Sequence, residues 1–268
     1  MANFIHPTAI ISEGVKLGNG VHIGPYCVLD GNIVIGDNSI LTSHVSITGN
    51  VEIGFGNKIS PFASIGGLPQ DIKSKDFLGQ VKIGDENVIR ENVTINLGTN
   101  YGSGVTKIGN KCVIMACVHI GHDSELGNRV ILANNVLLGG HVSLDDFVRI
   151  GGNSGVHQFI KIGKYAMIGG LVGVNKNVPP YSLIKDEYGK FSGLNLVGIR
   201  RNLDMSLKEV KLIEKTLLFL MDSKQGTVKE KIEIIKKDEE SKFYQGNEII
   251  DFFTNINQYG VCEVSSDN

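Results

Sequence analysis

Tryptophan is absent from this 268-residue chain, proline occurs only six times, and aromatic residues make up 7%. So little proline excludes a collagen-like chain, which also needs glycine at every third position. The four cysteines, Cys27, Cys112, Cys117 and Cys262, are too few and too scattered for a disulfide framework or a thiolate zinc site. No stretch reaches about 18 apolar residues, and the opening Met1-Ala-Asn-Phe-Ile-His-Pro7 lacks a charged segment followed by an apolar run. The sequence therefore predicts no signal peptide and no integral membrane segment, with a cytoplasmic location as the default. A formal net charge of −2 argues against a general nucleic-acid binder.

What the chain has instead is glycine, 34 residues of it, beside 41% hydrophobic residues. That hydrophobic share excludes a disordered linker. Sampling every sixth residue from Ile5 gives Ile5, Ile11, Leu17, Ile23, Leu29, Ile35, Leu41, Ile47, Ile53, Ile59 and Ile65, all Ile or Leu. The beat breaks over residues 67–80, resumes at Ile83, Ile89 and Ile95, and breaks again over 97–106. It then runs on through Ile108, Ile114, Ile120, Leu126, Leu132, Leu138, Leu144, Ile150, Val156, Ile162, Ile168 and Val174. Gly18, Gly24, Gly36, Gly54, Gly84, Gly109, Gly121, Gly127 and others directly follow these aliphatics.

A helix repeats its apolar residues near 3.6 and a plain strand at 2, so a period of six is neither alone. It fits a short strand, a turn and another short strand, with one aliphatic inward per side of a prism. Glycine or another permissive residue is expected where the backbone turns. Three sides make a coil of 18 residues. Successive coils then pair as parallel strands about 4.8 Å apart, and each coil is stable only by burying its face on the next. The fold class is thus mainly β, a parallel β-helix of hexapeptide repeats followed by a small α-helical domain. The expected boundaries are residues 1–180 for the helix, with extruded loops at about 67–80 and 97–106, 181–203 for a linker segment, and 204–268 for the helical part. In the last, Ser206-Leu-Lys-Glu209 has capping-box form ahead of Val210, Ile213, Leu217, Leu218 and Met221. Thr227 to Glu230 starts a second helix, and Ile249, Ile250, Phe252, Phe253 and Ile256 mark a third.

Four of the seven histidines lie between residues 119 and 157. Adding 18 to His122 gives the neighbour of His141, and adding 36 gives the neighbour of His157. His122, His141 and the His157–Gln158 pair should therefore meet along one edge of the prism. Surface histidines without a role are one reading. A metal site using His119, His122 and His141 is a second, as in a γ-type carbonic anhydrase-like zinc enzyme. A general base is the third, with Asp123 beside His122 to orient the ring and raise its basicity.

Several motifs then occur in order: Pro69-Gln-Asp-Ile-Lys73, Ile89-Arg-Glu91, His119-Ile-Gly-His-Asp123, Ile131-Leu-Ala-Asn-Asn135, Gly140-His-Val142, Val156-His-Gln-Phe159, Asn177-Val-Pro-Pro180 and Gly193-Leu-Asn-Leu-Val-Gly-Ile-Arg-Arg201. With them the chain closely resembles the bacterial UDP-N-acetylglucosamine acyltransferases, hexapeptide-repeat proteins of left-handed hand. The handedness comes from that resemblance, since the general crossover rule favours the opposite hand. The resemblance implies transfer of a (3R)-3-hydroxyacyl chain from acyl carrier protein to the glucosamine 3-hydroxyl of UDP-N-acetylglucosamine, the first step of lipid A synthesis. It implies a homotrimer with sites between neighbouring β-helices, and neither a cofactor nor a metal.

His122 matches the family's base, Asp123 stands beside it, and the Gly140 N–H matches the oxyanion donor. Asp71 and Lys73 match substrate-positioning residues, and His119, His141, His157 and Gln158 match residues lining the cleft. Asn195 and Arg201 match contacts to the sugar nucleotide or acyl donor. Gly170 falls where the family sets acyl length, and a glycine there implies a long 3-hydroxyacyl chain, about 14 carbons or more. Val197 and Asn202 depart from the Glu and Arg of some relatives. Some members prefer a 3-amino sugar nucleotide and make an amide, and the residues leave that alternative open. The N-acyltransferase acting later in the same pathway carries an extra domain before its solenoid, for which the repeat beginning at Ile5 leaves no room.

Overall fold

The computed structural model describes residues 2–74, 79–186, 189–237 and 244–265. Its dominant feature is a left-handed parallel β-helix whose coils repeat the registers that the six-residue beat implies. On the first side Val113–Ile114, Ile131–Leu132, Arg149–Ile150 and Met167–Ile168 stack in parallel, each aliphatic paired with the next. On the second side His119–Ile120, Leu137–Leu138, Gly155–Val156 and Gly173–Val174 do the same. The third side runs through Val105–Ile108, Glu125–Leu126, Ser143–Leu144 and Lys161–Ile162.

The sampled aliphatics from Ile23 onward are buried. A second inward position, two residues earlier, takes small side chains such as Val21, Val45, Ala63, Val93, Val118 and Val136. At one corner this position is polar and fully engaged. The Asn57 carboxamide donates to the carbonyls of Gly54 and Gly84, both at 2.9 Å, and accepts from the Asn87 backbone and side chain, both at 3.0 Å. Asn87 in turn accepts from the Cys112 N–H at 2.8 Å. Paired in this way, the amides have hydrogen bonds that offset the cost of their desolvation.

The glycines of the beat do not do what the spacing suggested. The corner residue in the left-handed region is three places after each aliphatic and is usually not glycine: Tyr26, Phe62, Cys117, Asp123, His141, Phe159 and Tyr165 all have φ between 58° and 66°. Ring stacking between coils offsets the cost of that conformation, as in Tyr26–His44–Phe62 and Phe147–Tyr165–Tyr181. The beat glycines instead permit close approach between coils. A Cβ on Gly121 would lie 2.8 Å from the Gly139 carbonyl carbon and the Gly140 nitrogen.

Two excursions leave the prism between Ser64–Gly67 and Gln80–Ile83, and between Thr94–Asn96 and Val105–Ile108. Both leave the corner that joins the second side to the third. Beyond Pro180 the first side gains one more strand, Ser182–Lys185, parallel to Met167–Ile168 and antiparallel to Lys190–Leu194. A short helix α1 (Leu196–Asn202) follows, then α2 (Leu207–Met221), α3 (Val228–Lys237) and α4 (Tyr244–Thr254). Ser206 and Glu209 form the expected capping box on α2, and Thr227 with Glu230 does so ahead of α3. The chain then returns to the last coil, where Cys262 N–H donates to Asn177 and Phe191 N–H to Glu263. Among the described residues no helix is long and apolar enough to cross a membrane.

Candidate active site

His122 and Asp123 follow Ile120 at the corner between the second and third sides. One coil on, Gly140 and His141 occupy the same two places, and one coil further Gln158 and Phe159. The 18-residue arithmetic thus brings His122, His141, His157 and Gln158 to one edge. They occupy different places within the turn, and the group directly against the His122 ring is Gly140. A Cβ on Gly140 would sit 2.5 Å from both Cε1 and Nε2 of His122. Only glycine leaves the imidazole where it is.

The ring is held from both ends. Its Nδ1 is 2.9 Å from Asp123 Oδ2, and its Nε2 is 3.8 Å from Asp71 Oδ2. Asp123 is anchored by the second loop, accepting from Thr99 Oγ1 at 2.6 Å, from the Thr99 N–H at 3.0 Å and from the Gly104 N–H at 2.9 Å. A Cβ on Gly102 would collide with that carboxylate at 2.4 Å. Burial alone would raise the Asp123 carboxyl, but the bonds from Thr99 and His122 outweigh it and the pKa is lowered. Asp123 is therefore a carboxylate that orients the ring by its Nδ1.

Asp71 comes from the first loop. It accepts a hydrogen bond from Tyr101 of the second loop and another from the Lys73 N–H at 2.7 Å, which together lower its pKa. The Lys73 side chain is exposed. His141 stacks on Phe159 at 4.4 Å and stands edge-on to His122 at 5.0 Å. Its Nε2 is 3.8 Å from Asp123 Oδ2. His119 bonds Thr94 through Nδ1 at 2.8 Å. Burial lowers the pKa of both histidines, on His141 against the opposing pull of the Asp123 carboxylate.

His119, His122 and Gly140 border an open cleft of about 860 Å³, and Asp71, Asp123 and His141 are not among the residues that line it. One end is polar, with Gln70, Asn96, His119 and His122. The other runs past Leu137, Gly155 and Gly173, where missing side chains leave a smooth trough. No atom lies within 4 Å of a Cβ built on Gly155. His157 and Gln158 are on the rim, exposed.

The remaining expected residues lie elsewhere in the chain. Gly170 is at the corner between the first and second sides, where a Cβ would meet the Gly152 carbonyl at 3.2 Å. Asn195 is the N-cap of α1, accepting from Gly198 N–H and donating to the Tyr165 carbonyl. Arg201 is exposed in the last turn of α1, and none of the three lines the His122 cleft. Val197 is exposed and Asn202 bonds the Gly198 carbonyl, closing that helix.

Sequence reasoning missed Gln70, Asn96, Thr99 and Tyr101. Leu137, Gly155 and Gly173 were within its reach, because they recur at the same 18-residue spacing.

Two chemistries fit the His122 corner. His122, Asp123 and His141 have ligand atoms within 4.8 Å of one another, a spacing a cation could use, whereas His119 is outside that group. The other is proton transfer, with Nδ1 fixed by a carboxylate and Nε2 turned to the cleft.

The solenoid is built of hexapeptide repeats, and residues 14–49 and 106–140 match the bacterial transferase hexapeptide family (six repeats). Residues 177–262 match the second domain of UDP-N-acetylglucosamine O-acyltransferase. The Francisella novicida UDP-N-acetylglucosamine acyltransferase is 39% identical over 98% of this chain and 95% of its own, with a TM-score of 0.90. The Moraxella catarrhalis UDP-N-acetylglucosamine O-acyltransferase is 38% identical over 97% and 99%, at 0.91. The Arabidopsis UDP-N-acetylglucosamine acyltransferase is 30% identical over 97% and 100%, at 0.84. The chain belongs to the UDP-N-acetylglucosamine acyltransferase family.

Proposed function

We propose that the protein moves a (3R)-3-hydroxyacyl chain from acyl carrier protein to the glucosamine 3-hydroxyl of UDP-N-acetylglucosamine, opening lipid A synthesis in the cytoplasm. The observation that carries this reading is the His122 ring, tied to Asp123 through Nδ1 and lying over Gly140 with Nε2 facing the cleft. Nε2 takes the proton of the sugar hydroxyl as its oxygen attacks the thioester carbonyl. The Gly140 N–H, which makes no hydrogen bond among the described residues, holds the oxyanion of the tetrahedral intermediate. A preorganised donor of this kind is worth on the order of 3 kcal/mol of barrier. Collapse expels the carrier thiolate, which recovers the proton from His122. Asp123 stabilises the imidazolium meanwhile without taking its proton. Asp71 and Lys73 position the acceptor, and His119, His141, His157 and Gln158 border it.

The trough past Leu137, Gly155 and Gly173 suits an acyl chain, being apolar and free of side chains at two levels. The reading includes a homotrimer, with neighbouring copies meeting at the cleft. Gly170 stands at a different corner from His122, so a neighbouring copy laid against the cleft would bring its own Gly170 to bear on chain length. Ile72 of the first loop is 94% exposed and Leu137 55% exposed, apolar surface that such a neighbour would cover. Asn195 shapes the α1 cap, and Arg201 presents a guanidinium suited to a phosphate or to the carrier protein.

The test is acyl transfer from a panel of 3-hydroxyacyl carrier proteins to UDP-N-acetylglucosamine and its 3-amino analogue. His122→Ala should lose about 10³-fold or more in kcat with its assembly intact. Turnover near wild type in that variant would remove His122 as base. Stoichiometric zinc whose chelation abolishes transfer would replace the proton-transfer reading by the metal one, and preference for the amine would change the product to an amide.

A further inference from the structure

Asn96 follows Ile95 at a place where many coils carry glycine, one coil before Gly121 and His122. It is 6% exposed and lines the same cleft as His119 and His122. Its side-chain Oδ1 is buried without a hydrogen-bond partner among the described residues. Among the described residues, the other buried carboxamides have a partner for each side-chain oxygen and nitrogen. Asn57 and Asn87 pair with each other and the backbone, and Asn177 donates to Asn257 and Gly260 while accepting from Lys161 N–H. A solenoid that satisfies its internal amides so completely keeps one unsatisfied at the edge of its reaction centre. A buried polar group without a partner destabilises a fold, and such groups persist at functional sites.

We propose that Asn96 is a substrate-binding and specificity-determining residue, its carboxamide hydrogen-bonding a polar group of the acceptor sugar beside the hydroxyl that His122 deprotonates. This rests on the acyl-transfer reading above. Position favours the sugar over the acyl chain. Asn96 is buried on the side of His122 that carries Gln70 and His119, while the other side runs past Leu137, Gly155 and Gly173, with His157, Gln158 and Asn175 exposed beside them. Adjacent coils are about 4.8 Å apart, so a group held by Asn96 is within a sugar ring's width of one held by His122. An amide oxygen needs a donor, and a sugar supplies hydroxyls and an acetamido N–H.

Asn96→Leu separates this role from a structural one, because stability and binding should move in different directions. Replacing an unpartnered buried amide by a carbon side chain of similar size leaves the melting temperature unchanged or raises it. The Kd for UDP-N-acetylglucosamine, measured by calorimetry without donor, should rise on the order of tenfold, and the KM for the acyl carrier donor should stay put. A fall in melting temperature, or of the oligomer, with equal losses for both substrates would mark a structural residue and overturn the proposal. So would an unchanged Kd, or an altered preference between 3-hydroxylated and plain acyl donors with acceptor binding intact. Should the leucine variant not fold, Asn96→Ala is put to the same measurements. Absence of acyl transfer by the wild-type protein would instead defeat the functional reading itself.

Discussion

The same turn recurs at the corner after the second side and the corner after the third, and its backbone N–H has opposite fates. After the third side, the residue two places past the aliphatic is bonded by a side chain one coil on. Asn19 N–H donates to Asp37 Oδ1 at 2.8 Å, Phe55 to Asp85 at 3.0 Å, Asp85 to Asn110 at 2.7 Å, Asn110 to Asn128 at 2.9 Å and Asn128 to Asp146 at 2.6 Å. After the second side, the matching N–H groups of His122, Gly140 and Gln158 have no such bond among the described residues. One corner spends its Asp and Asn on its own backbone and is structural. The other holds its carboxylates, Asp123 and Asp71, against an imidazole and leaves its donors to the cleft. The turn geometry permits both outcomes, and side-chain identity decides between them.

The sharpest way to break this contrast is a pair of glycine substitutions. Gly140→Ala should lower kcat about 10²-fold, because its Cβ displaces the His122 ring, with little change in melting temperature. Gly127→Ala should do the reverse. Its Cβ would meet Asp146 Oδ1 at 2.6 Å and the Asp146 nitrogen at 2.7 Å, costing about 2 kcal/mol of stability while kcat stays near wild type. Equal effects on activity from both would erase the distinction between corners. A smaller effect is expected from Asp146→Ala, which leaves the Asn128 N–H and Nδ2 without their acceptor. Chemical denaturation should register a loss of about 1 kcal/mol and kinetics no loss of kcat.

The smallest effect is a pH dependence confined to the His122 side. The folded pKa of His119 and of His141 is lowered, so the unfolded chain binds more protons as pH falls. Their contribution to stability is complete above about pH 6.5 and is lost as pH drops through the lower folded values. Melting temperature should therefore decline from pH 7 downward, and His119→Gln should make that decline shallower. An unaltered slope would show that His119 does not carry it.

Period six made the solenoid legible because each coil repeats one inward aliphatic, and the 18-residue step placed His122 and His141 on a common edge. The role of the glycines was misread for a physical reason. Left-handed corners are expected of glycine, but stacked rings let Tyr26, Phe62 and Phe159 hold them, and the glycines serve coil-to-coil contact. Thr99 and Tyr101 escaped notice because their importance arises from a loop folding back over the prism, which no periodicity encodes, whereas Asn96 stands on the beat itself, where its departure from glycine was a signal that went unread. The α1 cap made by Asn195 was hidden in a segment with no apolar beat, whereas the Ser206–Glu209 cap was visible as a local motif.

The two excursions also bear on how the chain reaches its fold. Ordinary coils close over 18 residues, as from Asn19 to Asp37, whereas those spanning the excursions close over 30, from Asn57 to Asn87, and 25, from Asn87 to Cys112. Closure entropy grows only with the logarithm of length, so each detour adds roughly 0.5 kcal/mol or less. Every other coil closes on the one before it by a local step, and structure can spread along the prism from any early nucleus. The loops that supply Asp71 and anchor Asp123 were thus accommodated without turning a short-range folding problem into a long-range one.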